Sequence, residues 1–229
     1  MRYCVSDLHG EYALFCKLLD LIKFGNSDEL IVCGDIIDKG TEPIRLAKLL
    51  FSMPNVRCIV GNHEYEFLKF YWSLMRNSPT DFDMVLDRLR TYIRYDGNLL
   101  DWETVDCFEN LPFYIEEKKF VCVHAGIPLD QNKRLIPLQQ ATKEQLVYDR
   151  TFKDPSILPI DSKCVIFGHT PTNYITGKND ILMYSRMNAP KSISDYCKIH
   201  LDTGANQNGI MGCLCIDTME TYYVRRILK

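Results

Sequence analysis

The sequence predicts an α/β layered domain with a second sheet in its C-terminal third, and three observations carry that reading. Short runs of β-formers recur, each closed by a glycine and a cluster of polar residues. Segments with apolar residues three and four positions apart separate the first three runs. The last third replaces them with strand-like runs joined by Gly- and Asp-containing turns. A chain of 229 residues buries roughly 70% of the surface its unfolded form exposes, enough for a substantial core.

Taken in order, Tyr3-Cys4-Val5 leads into Ser6-Asp7-Leu8-His9-Gly10, residues 30–33 into Gly34-Asp35, and residues 56–60 into Gly61-Asn62-His63-Glu64. Residues 120–123 then lead into His124-Ala125-Gly126, and residues 164–167 into Gly168-His169-Thr170. Apolar runs bounded by glycine read as buried strands. Residues 11–23 and 41–51 read as the helices between the first three, the second capped by Thr41. A helical insertion follows at about residues 64–110. Phe67, Tyr71, Leu74 and Met75 share one face there, and Phe82, Val85, Leu86, Leu89 and Ile93 another, with Asn77-Ser78-Pro79 between them, which makes two or three helices. Residues 199–201, 211–216 and 222–227 read as antiparallel strands of the second sheet. With no repeat, linker or low-complexity tract, residues 1–229 are expected to form a single domain, the stretch 128–137 being an excursion within it.

Composition excludes several classes. Lys and Arg number 27 against 30 Asp and Glu, a net charge of −3 without a block of either sign, so neither a nucleic acid nor an anionic membrane is an expected partner. No apolar run approaches the roughly 18 residues of a membrane span, and Asp7 and His9 come too early for a signal peptide. The ten cysteines contain no Cys-x-x-Cys pair and read as small buried hydrophobes in a reducing cytoplasm.

Ligands of layered α/β proteins bind beyond the carboxyl ends of the strands, where every polar cluster above falls. Five segments deliver Asp7, His9, Asp35, Asn62, His124 and His169 to one rim, and four of the five histidines stand at strand ends, His200 excepted. One such histidine alone would be a core residue; the joint placement reads as a metal site. Carboxylate, imidazole and amide oxygen suit Mn²⁺, Fe or Zn²⁺ better than Ca²⁺, and six donors suit two ions sharing a carboxylate.

At these motifs the sequence resembles the metallophosphoesterases, and within them the PPP-type serine/threonine protein phosphatases of the bacterial and bacteriophage kind. The blocks are Asp7-Leu8-His9-Gly10, the run from Gly34-Asp35 to Asp38-Lys39-Gly40, Gly61-Asn62-His63-Glu64, His124-Ala125-Gly126, Gly168-His169-Thr170 and Leu201-Asp202-Thr203-Gly204-Ala205, in the family's order. The resemblance implies the calcineurin-like phosphoesterase fold, an αββα sandwich of two packed mixed β-sheets flanked by helices. It implies one divalent ion, Mn²⁺ by preference, on Asp7, His9 and Asp35, and another on Asp35, Asn62, His124 and His169. His63 would be the general acid, oriented by Asp38. Lys39 stands where the family usually has arginine, and Arg150, in Tyr148-Asp149-Arg150, resembles the aromatic-x-Arg element of the phage enzymes; both would hold phosphate.

The implied reaction is hydrolysis of phosphomonoesters, foremost phosphoserine and phosphothreonine on proteins. Two ions about 3.5 to 4 Å apart would present a bound hydroxide in line with the phosphorus, and a proton donor for the poor alkoxide leaving group is worth roughly 10²- to 10⁴-fold. Two alternatives stand beside it. Symmetrical diadenosine tetraphosphate hydrolases resemble the chain too, although they show Gly-Asn-His-Asp where Glu64 stands here. A non-catalytic domain binding a phosphorylated partner would have no use for His63. A P-loop is excluded because Lys39-Gly40-Thr41 inverts the required Gly-Lys-Ser/Thr, and no Gly-x-Ser-x-Gly elbow occurs.

Overall fold

Alternate residues of each strand enter different cores in the computed structural model, which describes residues 1–93, 96, 99–159 and 163–226. The chain opens with β1 (Arg2–Val5), α1 (Tyr12–Ile22), β2 (Glu29–Val32), α2 (Pro43–Ser52) and β3 (Val56–Cys58), whose parallel strands pair in the register Tyr3↔Leu30 and Leu30↔Val56. Tyr3, Val5, Leu30 and Val32 pack against Leu14, Phe15 and Leu18 of α1 and Ile44, Ala47 and Leu50 of α2. The helices α3 (Asn62–Asn77), α4 (Phe82–Tyr92) and α5 (Trp102–Glu109) add Phe67, Leu89 and Phe108 to that same core.

The second half contains β4 (Tyr114–Glu116), β5 (Phe120–Val123), α6 (Lys143–Tyr148), β6 (Cys164–Phe167), α7 (Asn173–Thr176), β7 (Leu182–Ser185) and β8 (Tyr196–His200). It closes with α8 (Ala205–Asn208), β9 (Ile210–Cys215) and β10 (Thr221–Arg225). Two five-stranded mixed sheets result, in the orders β10-β9-β1-β2-β3 and β4-β5-β6-β8-β7. Cys4, Ile31 and Leu214 of the first meet Phe120, Cys122, Ile166 and Ile199 of the second in an apolar layer between them. Val121, Val123, Val165 and Phe167 turn outward beneath Leu138, Leu146 and Phe152. This period-two division of side chains produces the αββα sandwich that the resemblance implied.

Three details depart from the sequence reading. The C-terminal strands divide between the sheets: β8 joins the second, parallel to β6, while β9 and β10 return to the first, antiparallel to β1 through Tyr3↔Cys215. There β9 covers the otherwise open edge of β1, with Cys213 and Cys215 toward the helices and Leu214 toward the sheet interface. Thr41 caps nothing. Instead α2 starts at Pro43, after Glu42 in the cap position without a side-chain bond, because proline's fixed φ and missing N–H suit the first turn. The described residues of the 64–110 stretch hold three helices, within the two or three expected, but α3 begins earlier, inside the Gly61-Asn62-His63 motif itself. Residues 94, 95, 97 and 98 of that insertion and Ile227 of the last expected strand lie outside the described residues.

His200 is fully buried, stacked on Phe167 with ring centroids 4.3 Å apart, and neither ring nitrogen makes a hydrogen bond. Burial pulls its imidazole from 6.5 down to about 3. A base whose pKa falls on folding takes its proton preferentially in the unfolded chain, so its contribution is present above pH 6.5 and lost as the pH drops below that value. Each unit lost should cost up to about 1.4 kcal/mol. Denaturant melts at pH 7 and pH 5 should therefore show a smaller acid penalty for His200→Phe than for the unmodified chain. Equal penalties would mean that other groups carry it.

Candidate active site

Five loops, following β1, β2, β3, β5 and β6, meet on one rim and are laced together by backbone hydrogen bonds. Asp7 N–H donates to Gly34 O at 3.1 Å, His9 N–H to Asp35 O at 2.8 Å and Gly40 N–H to His9 O at 2.8 Å. To turn this tightly, Asp7, His9, Asp35, Asp38, Lys39 and His169 all adopt positive φ, between 45° and 72°. Such residues cost of order 1–3 kcal/mol each and persist where surrounding contacts over-determine them. Close approach also dictates Gly61, since a Cβ there would lie 2.2 Å from Asp35 Oδ1.

Asp35 is the hub. Its carboxylate belongs to two triads, one with His9 and His63 and the other with His124 and His169, and within each the candidate ligand atoms lie within 4.8 Å of one another. Oδ2 is 3.5 Å from His9 Nε2, and Oδ1 is 3.4 Å from His124 Nε2. The rings are oriented from behind: His9 Nδ1 donates to Ile37 O at 3.2 Å and His124 Nδ1 to Cys33 O at 2.8 Å, which leaves each Nε2 lone pair facing the site. Asn62 Oδ1 lies 3.1 Å from His124 Nε2 and 2.9 Å from His169 Nδ1. Asp7 is buried on the same rim, but both its oxygens face the His169 N–H, at 3.2 and 3.0 Å, which places it beside the triads. Burial, with the Asp35 charge adding to it, pushes the Asp7 carboxyl up to about 6. The same burial lowers His9 to about 4 and depresses His169 further, with His124 and Arg150 adding to the latter.

This donor set fits divalent metal. Converging imidazole, carboxylate and amide acceptors would repel one another without a cation among them, and the buried His169 Nε2 has no partner in the protein. Thiolates are absent from the two triads, in keeping with an ion of intermediate hardness.

His63 sits at the mouth, 22% exposed, with Nδ1 2.8 Å from Asp38 Oδ2 and Nε2 3.9 Å from Asp35 Oδ2. Burial alone would lower its pKa, but the Asp38 hydrogen bond and the Asp35 charge outweigh it and raise the imidazole above its usual value. Lys39 reaches over the rim, its Nζ 2.9 Å from His9 Nε2, so it does not simply point to solvent ahead of α2. Arg150 donates to Thr170 Oγ1 at 3.1 Å, and it shares with Lys39, His9 and His169 the lining of a cavity of 250 Å³.

Two residues had no role in the sequence reading. Glu64 is fully buried, and its carboxylate accepts the N–H groups of Asp35, Ile36, Ile37 and Gly61 at 2.8 to 3.0 Å, fastening the Asp35 loop to the start of α3. Asp202 lies buried on the wall of the 250 Å³ cavity, and its carboxyl is raised by burial and by Asp7. It ends the run 199–201 as the other site residues end theirs, which was the signal for it.

Comparison with known proteins agrees with this geometry. The chain is 30% identical over 129 residues to the symmetrical bis(5'-nucleosyl)-tetraphosphatase of Erwinia tasmaniensis, a match covering 55% of this chain and 44% of that protein. The Salmonella paratyphi C protein of the same name is 30% identical over 131 residues, covering 55% and 43%. The chain thus matches less than half the length of these curated relatives. Among solved structures, a candidate diadenosine tetraphosphatase superposes with a TM-score of 0.71 at 17% identity, covering 98% of this chain and 92% of that one. A serine/threonine protein phosphatase from Saccharomyces cerevisiae superposes with a TM-score of 0.55 at 12% identity, covering 100% and 80%. At such identities the superpositions speak for the fold alone. The calcineurin-like phosphoesterase profile matches residues 3–199, which span the five loops after β1, β2, β3, β5 and β6, and the chain belongs to that family of metallophosphoesterases.

Proposed function

We propose that the protein hydrolyses a phosphoanhydride bond of dinucleoside tetraphosphates at a two-metal site, and the observation that carries the hydrolytic site is Asp35 shared between two histidine triads beside the His63–Asp38 pair. The substrate class rests on the relatives named symmetrical tetraphosphatases. The difference at Glu64 does not count against it: that side chain is buried in the scaffold and lines none of the three cavities around the rim. His9, Asp35 and the neighbouring Asp7 would hold one ion, and Asp35, Asn62, His124 and His169 the other, Mn²⁺ by preference. Such ions would supply a nucleophile at neutral pH and positive charge for the phosphoryl oxygens. His63, held by Asp38, gives its proton to the leaving oxygen, while Lys39 and Arg150 hold phosphate oxygens in fixed places. Ten unpaired cysteines fit a reducing compartment, and among the described residues no helix is long and apolar enough to cross a membrane.

A second reading, phosphoserine or phosphothreonine on proteins, is favoured by the same His63–Asp38 pair, because an alkoxide needs a proton donor more than a diphosphate does. A panel of diadenosine tetraphosphate, phosphoserine peptide and p-nitrophenyl phosphate separates the two. Activity should vanish on chelation, return best with Mn²⁺, and be largely lost together with bound metal in Asp35→Asn. Full activity of the chelated protein would sink the two-metal scheme, and turnover of the peptide without the tetraphosphate would select the second reading.

A further inference from the structure

Three cavities join end to end through shared walls. The middle one, of 250 Å³ beside His9, His169 and Asp202, shares Lys39 with a cavity of 540 Å³ and shares Arg150 and Tyr174 with another of 610 Å³. The outer two have no lining residue in common, so the metal rim lies between two separate compartments, each in the size range of a small-molecule pocket. Each carries a tyrosine. Tyr92 lines the compartment that holds His63 and Asp38, braced by stacking on Phe70 at 5.2 Å. Tyr174, on the opposite side, is 69% exposed, and the four-residue α7 that bears it buries no side chain.

Charge distinguishes the Tyr174 compartment further. Its acids are engaged locally: Asp130 accepts the N–H groups of Asn132 and Arg134, and Asp154 accepts the N–H and hydroxyl of Ser156. Lys133, Arg150 and Lys153 line this wall beside Asp130 and Asp154, and among the described residues Lys133 and Lys153 form no ion pair, so the balance of charge on the wall is positive by one.

We infer that the two compartments receive the two nucleoside diphosphate arms of a dinucleoside tetraphosphate, an inference that rests on the proposed function and assigns each arm its residues. The central phosphates lie over the middle cavity, between Lys39 and Arg150. One base stacks on Tyr174, with its phosphates near Lys133 and Lys153, and the other lies by Tyr92. His63 lines only the Tyr92 compartment, so that arm leaves. Water oxygen bonds to the central phosphorus of the Tyr174 arm, and the bond from that phosphorus to the bridging oxygen breaks. The bridging oxygen departs with the electron pair and takes the His63 proton, and the proton lost by water restores the donor. The products are two nucleoside diphosphates.

Calorimetric titration of the Mn²⁺-loaded protein with ADP should give two sites per chain. Tyr174→Ala combined with Lys133→Ala and Lys153→Ala should remove one, and Tyr174→Phe should keep both, since a ring is what stacking needs. In the triple alanine variant, but not in Tyr174→Phe, kcat/KM for diadenosine tetraphosphate should fall at least tenfold relative to p-nitrophenyl phosphate. A single ADP site indifferent to Tyr174→Ala, with that ratio unchanged while the unmodified enzyme splits the tetraphosphate, overturns the arms and leaves the proposed function standing. No turnover of the tetraphosphate by a protein active on p-nitrophenyl phosphate overturns both.

Discussion

Glu64→Ala should leave the chain unable to keep its native fold at ordinary temperature. The carboxylate accepts four backbone N–H groups in a site closed to water. Each donor left without a partner costs about 1–3 kcal/mol, so four of them rival the whole stability of a domain, about 5–15 kcal/mol. Glu64→Gln keeps an acceptor for one pair of donors and turns an amide N–H toward the other pair, so it should fold with an intermediate loss. In a chain of this size 1 kcal/mol corresponds to about 2–4 °C, and a melting curve followed by circular dichroism should put Gln at least ten degrees below the unmodified protein, with no native transition for Ala. An alanine variant melting within a few degrees would show that the Asp35 loop holds without this fastening.

His63→Asn should divide substrates by their leaving groups. The ring is a mostly buried donor at the mouth, oriented by Asp38 at 2.8 Å, and it stands 3.9 Å from Asp35. Its removal should cost roughly 10²- to 10⁴-fold on a phosphoserine peptide, whose alkoxide departs poorly without a proton. On p-nitrophenyl phosphate, whose phenolate leaves unaided, the loss should be much smaller. The diphosphate arm of diadenosine tetraphosphate should fall between them. Metal content measured by plasma emission should change little. Equal losses on all three would mean that His63 positions phosphate or ligates metal, a possibility its membership of the His9–Asp35 triad makes worth measuring.

Much of this site was legible in the sequence because its grammar is local. An apolar run, a glycine and a short polar side chain mark a strand end, and parallel strands buried on both faces leave no other reading for residues 30–33 or 164–167. What stayed illegible depends on distant partners. β9 is buried at all six positions, so it has no exposed face to say which sheet it joins, and the open edge of β1 decides that. β4 and β7 are three and four residues long and only partly covered, too short to show alternation. Glu64 reads as one more acidic residue in the first turn of a helix, because three of the four N–H groups it gathers come from a loop nearly thirty positions earlier. Tyr174 gives no signal either, being a lone aromatic on a single helical turn.

The pairing of β1 with β9 also sets an order of events during synthesis. β1 is made long before its antiparallel neighbour, residues 210–215, so it must wait with a sheet edge open beside Tyr3 and Cys4. Contacts of such sequence separation slow folding, and an exposed apolar edge during that interval invites pairing with another chain. A nascent chain arrested before residue 210 should therefore aggregate more readily than one extended past residue 215, which light scattering of the two forms would check.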